Sequence, residues 1–157
     1  MRNYIINPYQ IVATNGRYYL VANYDKYDDI SHYRLDRITN IRLLETPAKP
    51  KKKVKGIENG LDLPKHMAEH IYMFSGESVT VRFITKRYLT TEIIDWFGKD
   101  IKFSDETDDE VTVTVKANET AMQLWALQYA KHIMVISPQS LVDKIKDDIA
   151  FAMENYK

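Results

Sequence analysis

The fold of the first part of the chain is decided by the stretch YQIVATNGRYYLVA, residues 9–22. Asn15-Gly16 lies between two runs rich in aromatic and β-branched residues. This pattern predicts a β-hairpin, because a tight type I′ turn needs a positive φ at both central residues. On the outgoing strand, Tyr19 and Val21 share one face, and Tyr18 and Leu20 share the other.

A third strand is predicted beyond an acidic loop at residues 25–29, and it ends in YRLDRI, residues 33–38. Side chains alternate along a strand, so His32 and Arg34 point one way and Tyr33 and Leu35 the other. We therefore expect a small sheet with aromatic groups on one side and cationic, hydrogen-bonding groups on the other. Such a sheet outlines a binding surface.

Four side chains of these strands are candidate ligand-binding residues: Tyr19, His32, Arg34 and Arg37. The guanidinium group is a planar fork of donors that suits phosphate, and aromatic rings are platforms on which bases stack. Together they meet the needs of single-stranded nucleic acid. A structural alternative stays open, in which Arg34 and Arg37 pair with nearby acids and only fix the loop. The acids in reach are Asp28, Asp29 and Asp36.

The remainder of the chain predicts a linker and a second unit. Residues 47–56, PAKPKKKVKG, indicate a solvated basic linker, with phosphate contact by its lysines as the alternative. A short helix is expected at about residues 64–74. Residues 79–157 follow the order βαββαβ with a closing C-terminal helix, which is typical of a ferredoxin-like fold.

Charge is divided unevenly along a chain whose net charge is zero. Residues 1–65 contain 12 lysines and arginines against 7 acids, and residues 66–157 contain 10 against 15. The first part is therefore expected to attract anions. The chain has no cysteine, no apolar run that could span a bilayer and no signal-peptide pattern, so we expect a cytoplasmic protein without a membrane partner.

Signals for metal binding or catalysis are weak. His66 and His70 are four residues apart, but a His-Glu-x-x-His order and a third ligand are lacking, so we expect two exposed histidines and no metal. The sequence has no phosphate loop, dinucleotide fingerprint or Gly-x-Ser-x-Gly motif. We therefore expect neither an enzyme nor a cofactor.

Several motifs together resemble the WYL domain, a bacterial regulatory module. They are PY at residues 8–9, NGRYYL at 15–20, DDI at 28–30 and YRLDRI at 33–38, with Tyr18 in place of the family's tryptophan. The resemblance implies an Sm-like, SH3-type β-barrel with a basic, polar ligand channel. Tyr19, Arg34 and Arg37 match the motif residues of that channel. His32 has no match and is included because it shares a face with Arg34.

The resemblance extends to residues 79–157, which are similar to the extension that follows WYL domains. We therefore predict an α+β protein in three parts: a WYL-like barrel at 1–48, a linker and helix at 49–78, and a ferredoxin-like domain at 79–157. About five strands close such a barrel and only four are evident before residue 45, so the barrel is incomplete or closed by other elements.

The resemblance also implies the function. The chain would be the ligand-sensing region of a WYL-type transcriptional regulator, with single-stranded DNA or a nucleotide as its effector. It would pass the signal to a helix-turn-helix DNA-binding domain, located upstream or in a partner. The apolar helices of the second unit predict a homodimer. The alternative is a structural or dimerisation module with no ligand of its own.

Overall fold

The predicted hairpin forms the first two strands of the structure, a computed structural model that describes residues 3–157. Strand β1 (Ile6–Thr14) pairs antiparallel with β2 (Arg17–Tyr24), and Thr14 lies opposite Arg17. Asn15 and Gly16 have φ values of 50° and 70°, as the turn between such strands requires. Strand β3 (Ile30–Arg34) pairs antiparallel with β2 and completes a three-stranded sheet in the order β1-β2-β3.

Three strands, rather than the expected four, precede residue 45 in the described chain. The sequence predicts one strand at residues 4–6 and another at 9–13. Only Ile6 of the first stretch lies in a strand, and it belongs to β1 together with residues 9–13; β1 is irregular between Pro8 and Gln10. Strand β1 is at the edge of its sheet, where proline, which lacks an N–H group, is tolerated. The Sm-like barrel is therefore not confirmed.

The third strand is shorter than predicted. It ends at Arg34, and Leu35–Arg37 form a 3-10 turn that is closed by a hydrogen bond from Ile38 N to Leu35 O. Arg37 consequently lies on a turn and not on the strand that carries His32 and Arg34.

The segment predicted as a solvated linker is attached to the first sheet. Val54 and the residue directly after the segment, Ile57, are fully buried, and the backbone N–H of Lys55 donates to the carbonyl of Asp28 at 2.6 Å. At its start, the hydroxyl of Tyr9 donates to the carbonyl of Lys49 at 2.7 Å. Charge dominates the composition of this segment, so its sequence gives no sign that Val54 is buried.

Helix α1 (Leu63–Glu69) is shorter than the predicted helix. The helix does not continue to residue 74, because Tyr72 and Met73 have φ values of 60° and 57°, outside the right-handed helical region. Ile71–Met73 form a 3-10 turn instead.

The chain divides into two compact units. The first contains Met1–His66 and Tyr72–Gly76, and the second contains Met67–Ile71 and Glu77–Lys157. The domain boundaries given above stay predictions. No helix within residues 3–157 is long and apolar enough to cross a membrane.

The second unit is built on a four-stranded antiparallel sheet in the order β5-β6-β4-β7. Its strands are β4 (Ser78–Lys86), β5 (Lys102–Ser104), β6 (Glu110–Asn118) and β7 (Ile133–Ser137). Its helices are α2 (Thr90–Phe97), α3 (Glu119–Gln128) and α4 (Gln139–Glu154). The order of elements is the predicted one, and the ferredoxin-like assignment remains an interpretation. Asn118 caps α3, because its side-chain oxygen accepts from Ala121 N at 3.1 Å.

The core of the second unit is aromatic and aliphatic. The ring centroid of Trp125 lies 5.3 Å from that of Phe83, 4.9 Å from that of Phe97 and 4.9 Å from that of Tyr129. Trp125 and Phe83 are almost completely buried, as are Ile93, Met122 and Leu141. Edge-to-face and tilted ring contacts of this kind add to the free energy gained by burial alone.

Candidate functional site

Strand register brings three of the four candidate residues to one face of the first sheet. Tyr19 lies directly opposite Arg34, and Val21 lies opposite His32. Residues that are directly opposite in an antiparallel pair share a face, and so do residues two apart on one strand. Tyr19, His32 and Arg34 therefore share a face, as predicted for Arg34 and His32, and the register adds Tyr19 to them.

The opposite face of this sheet carries the tyrosine cluster. The ring of Tyr4 lies 5.3 Å from that of Tyr24 and 6.0 Å from that of Tyr33, measured between centroids. Burial raises the pKa of the Tyr33 phenol. The expected separation of aromatic groups from cationic groups is present, with Tyr19 as the aromatic side chain on the cationic face.

Arg34 is paired with Asp36. Its Nε donates to Asp36 Oδ1 at 3.0 Å, and its Nη2 donates to Asp36 Oδ2, which makes the contact bidentate. This contact raises the pKa of Arg34 and lowers the pKa of Asp36. The nearby Tyr19 side chain makes a smaller contribution to the raised pKa of Arg34. The ion pair considered in the structural alternative is thus formed, although with Asp36 and not with Asp28 or Asp29.

Arg37 remains close to this ion pair although it has left the strand. Its charge helps to lower the pKa of Asp36, after the larger effect of the Arg34 hydrogen bond. The Arg37 side chain is exposed, and within residues 3–157 it makes no hydrogen bond or ion pair. The charges of two arginines therefore act on one carboxylate at the end of β3.

His32 is engaged at both ring nitrogens. Its Nδ1 lies 3.1 Å from the hydroxyl of Ser75, and its Nε2 lies 2.8 Å from Nε2 of His66. Of two nitrogens at that distance, one donates a proton that the other accepts, so the pair shares one proton. His32 lies on the predicted face, but both of its nitrogens already have contacts.

The position of His66 contradicts the expectation of two exposed histidines. His66 is buried, with 8% of its surface exposed. The described residues contain no group of three or more histidines and acids that could hold a metal ion. The His66 and Ser75 contacts of His32 were missed, because no spacing pattern in a sequence relates residue 32 to residues 66 and 75.

The second unit contains an apolar groove. It has a volume of about 170 Å³ between α3, β7 and α4, and it is lined mainly by aliphatic side chains. These include Ala126, Ile133, Val135, Val142, Ile145 and Ile149. Towards its C-terminus, α4 also exposes Phe151 and Met153. The homodimer predicted from these helices stays a prediction.

Two protein-family models match the chain. The family model of the WYL domain matches residues 1–43, and that of the WCX domain matches residues 75–153, which is half of the chain. The chain is thus a WYL domain followed by a WCX domain. It belongs to the WYL-domain family of transcriptional regulators.

Among solved structures, the chain is similar to proteasome accessory factor B/C (PafBC) of Arthrobacter aurescens, with 16% identity and a TM-score of 0.46. The similarity covers 97% of this chain and 22% of that one, so the chain spans less than a quarter of that protein. No curated protein matches the chain.

Proposed function

We propose that this chain is the ligand-sensing part of a transcriptional regulator, and that its ligand is single-stranded DNA or a nucleotide. The ligand is held at Tyr19, Arg34 and Arg37, with His32 at the border of the site. The observation that supports this most directly is the register that sets the Tyr19 ring opposite the Arg34 guanidinium group. When a base stacks on that ring, the Arg34 guanidinium group lies beside it and can donate hydrogen bonds to the phosphate.

In the proposed site, a phosphate of the ligand replaces the Asp36 carboxylate as the partner of Arg34. Asp36 occupies the donors of Arg34 in the free protein, and 60% of the Asp36 side chain is exposed. Ion pairs this exposed are weak, because water and salt screen them. A phosphate that is fixed at the same time by base stacking and by Arg37 can therefore displace the Asp36 carboxylate.

His32 is proposed to contribute its ring and not its nitrogens. Both nitrogens contact side chains of the protein, so the ring is held in one orientation beside Val21 on the face that contains Tyr19. An oriented ring is a stacking platform that loses little entropy on binding. His32 thus borders the site as a second aromatic surface.

Sensing requires that the ligand bind one arrangement of the protein better than another. We propose that the ligand-bound arrangement is passed to a helix-turn-helix DNA-binding domain, in the same chain or in a partner, and that α4 and β7 form a homodimer contact. No catalytic role is proposed for any residue.

The test is binding of a fluorescently labelled oligothymidine across a salt series, for the wild type and for Arg34→Ala with Arg37→Ala. We expect binding that weakens with salt, and a slope of log K against log salt that is smaller by about 1.4 in the double variant. That value corresponds to two phosphate contacts at about 0.7 each for single strands. Tyr19→Ala is expected to cost about 1–3 kcal/mol of binding, and Tyr19→Phe little, because phenylalanine keeps the ring.

The matched control is Arg82→Ala with Arg87→Ala. These arginines are exposed and paired with acids, Arg82 with Asp105 and Arg87 with Glu106, both at 3.8 Å, and they lie in the second unit. The control removes the same charge and is expected to leave the slope unchanged. Equal loss in both double variants would mean that net charge alone drives binding, which would contradict the proposed site.

A structural or dimerisation module remains the second candidate, favoured by the Arg34–Asp36 ion pair. Asp36→Asn separates the two candidates. If Asp36 competes with a ligand phosphate, the variant binds oligonucleotide more tightly than the wild type. If the ion pair serves only to fix the turn, Asp36→Asn and the double arginine variant both lower stability and leave oligonucleotide binding unchanged.

A further inference from the structure

A turn of three consecutive lysines is displayed on the first unit. Lys51–Lys53 form a 3-10 turn, and hydrogen bonds and buried side chains fix the segment on either side. Before the turn, the backbone N–H of Lys49 donates to Asn7 Oδ1 at 2.8 Å. After it, Val54 is completely buried. The lysines are therefore presented from a fixed position and not from a flexible linker.

Lys49 and the turn differ in what their ammonium groups contact. The Nζ of Lys49 donates to the carbonyl of Tyr27 at 3.0 Å and lies 3.6 Å from Asp28 Oδ1, so its charge is used within the protein. Lys51, Lys52 and Lys53 are exposed, and within residues 3–157 none of their side chains makes a hydrogen bond or ion pair. Three ammonium groups are thus available to an external anion.

We propose that Lys51–Lys53 form a second phosphate-binding site for a nucleic-acid strand, separate from the Tyr19–Arg34 site and reached only by strands of several nucleotides. This inference rests on the proposed function. It assigns the lysine turn to the backbone of the same ligand, and it makes the length of the strand a determinant of affinity.

The register gives the spacing of the two sites. The turn is attached beside Asn7, which lies opposite Asn23, and Asn23 is four residues along β2 from Tyr19. At about 3.3 Å per residue, this point of attachment lies roughly 13 Å along β2 from Tyr19. Stacked nucleotides rise about 3.4 Å each, so roughly four nucleotides bridge the distance.

A single strand fits the turn better than a broad anionic surface does. The loop of Asp25, Asp28 and Asp29 is exposed and close to the segment, as the contact between Lys49 and Asp28 shows. An anionic membrane or a large acidic protein surface would meet these carboxylates as well as the lysines. A narrow strand can contact the turn and avoid the loop.

Geometry also limits how many lysines one strand can meet. Successive side chains in a 3-10 turn project about 120° apart, so the three ammonium groups spread in different directions. We expect two of the three to contact a single strand. Their loss then lowers the salt slope by about 1.4.

The experiment compares oligothymidines of three and twelve nucleotides, with the wild type and with Lys51→Ser, Lys52→Ser and Lys53→Ser combined. We expect the wild type to bind the twelve-nucleotide strand more tightly than the three-nucleotide strand. In the triple variant we expect this difference in affinity to disappear, and the slope of log K against log salt for the longer strand to be smaller by about 1.4. Affinity for the trinucleotide is expected to stay unchanged. The matched control is Lys99→Ser, Lys102→Ser and Lys131→Ser, which removes three exposed lysines from the second unit.

Several results would overturn the inference. A triple variant that keeps the length advantage, or a control that loses it equally, would show that the turn is not a site. Binding of the turn to polyglutamate or to anionic vesicles as tight as to DNA would show a general anion surface. In each of these cases the proposed function stands if the trinucleotide binds and the Arg34, Arg37 variant loses it. A wild type that binds neither strand would overturn both.

Discussion

The four-stranded sheet of the second unit buries rings and aliphatic chains, whereas the three-stranded sheet of the first unit buries asparagines beside its valines. In the second unit, Trp125 packs between phenylalanine rings. In the first, Asn23 is completely buried, and its Nδ2 donates to the carbonyls of Tyr27 at 2.9 Å and Asp29 at 2.8 Å. Its Oδ1 accepts from Asn7 Nδ2 at 3.0 Å.

The difference shows that apolar packing supplies stability in the second unit, whereas buried hydrogen bonds fix the positions of polar groups in the first. Apolar burial is non-directional and scales with area, so a core of rings gives stability without fixing any polar group. Buried amides contribute less net free energy, but their hydrogen bonds fix the positions of the groups that they join. Here the groups joined belong to the loop between β2 and β3, and β3 carries His32 and Arg34.

Trp125→Ala is expected to have the largest effect, a loss of about 4 kcal/mol in the free energy of unfolding of the second unit. The substitution removes a buried ring from three aromatic neighbours and leaves a cavity. Urea unfolding followed by fluorescence is the measurement, because the other tryptophan, Trp96, also lies in the second unit. Leu124→Ala, at an exposed neighbouring position, is the control. Equal destabilisation by both variants would contradict an aromatic core.

Ile57→Ala is expected to cost about 3 kcal/mol, again by loss of buried area and formation of a cavity, but in the first unit. Ile57 is 1% exposed and directly follows the segment that composition alone predicts to be a linker. Hydrogen exchange of the β1 and β2 amides measures the effect, with Ile41→Ala, which is 81% exposed, as the control. Unchanged hydrogen exchange in Ile57→Ala would mean that burial of Ile57 does not stabilise the first sheet.

The sequence predicts local features of this fold well. The hairpin, the Asn118 cap and the order of elements in the second unit follow from turn chemistry and periodicity, which act within a few residues. The extent of β3 was overestimated, because residues 33–38 alternate as a strand does while the chain turns at Leu35. Alternation alone does not reveal where strand pairing stops.

Contacts between distant segments were beyond prediction. That Tyr19 lies opposite Arg34 depends on how β2 and β3 are paired, and the sequence of either strand alone does not give that pairing. Asn23 and Asn7 gave no periodic signal, because polar residues on a strand are normally assigned to solvent. Val54 and Ile57 were hidden by the lysines around them.

Asn23→Ala is expected to cost about 2 kcal/mol in the first unit. The variant leaves the carbonyls of Tyr27 and Asp29 and the buried Asn7 amide without the hydrogen bonds that Asn23 supplied, and an unsatisfied buried polar group costs about 1–3 kcal/mol. A double-mutant cycle with Asn7→Ala, measured by urea unfolding followed by far-UV circular dichroism, is expected to give a coupling energy of about 1 kcal/mol. Additive effects would mean that the two amides act independently, and Gln10→Ala, at an exposed position of β1, controls for loss of a side chain.

Glu119→Gln is expected to have the smallest effect, less than about 1 kcal/mol at pH 7, because exposed charges are screened by water and salt. Hydrogen bonds from Ser140 and Lys144, followed by the charge of Lys144, lower the pKa of Glu119 below its ordinary value of 4.5. A lowered pKa in the folded state means that the stabilisation is present above pH 4.5 and is lost as the pH falls through the folded value. The difference between wild type and variant therefore shrinks below pH 4.5.

Urea unfolding of wild type and Glu119→Gln between pH 3 and pH 7 measures this difference, again through tryptophan fluorescence. Glu106→Gln is the control, because Glu106 is exposed and its nearest cationic group, on Arg87, is 3.8 Å away. A small, pH-dependent effect at Glu119 would support a second unit that depends on apolar packing, with the polar contacts between α3 and α4 adding little. A loss comparable to that of Trp125→Ala would instead mean that polar contacts support both units.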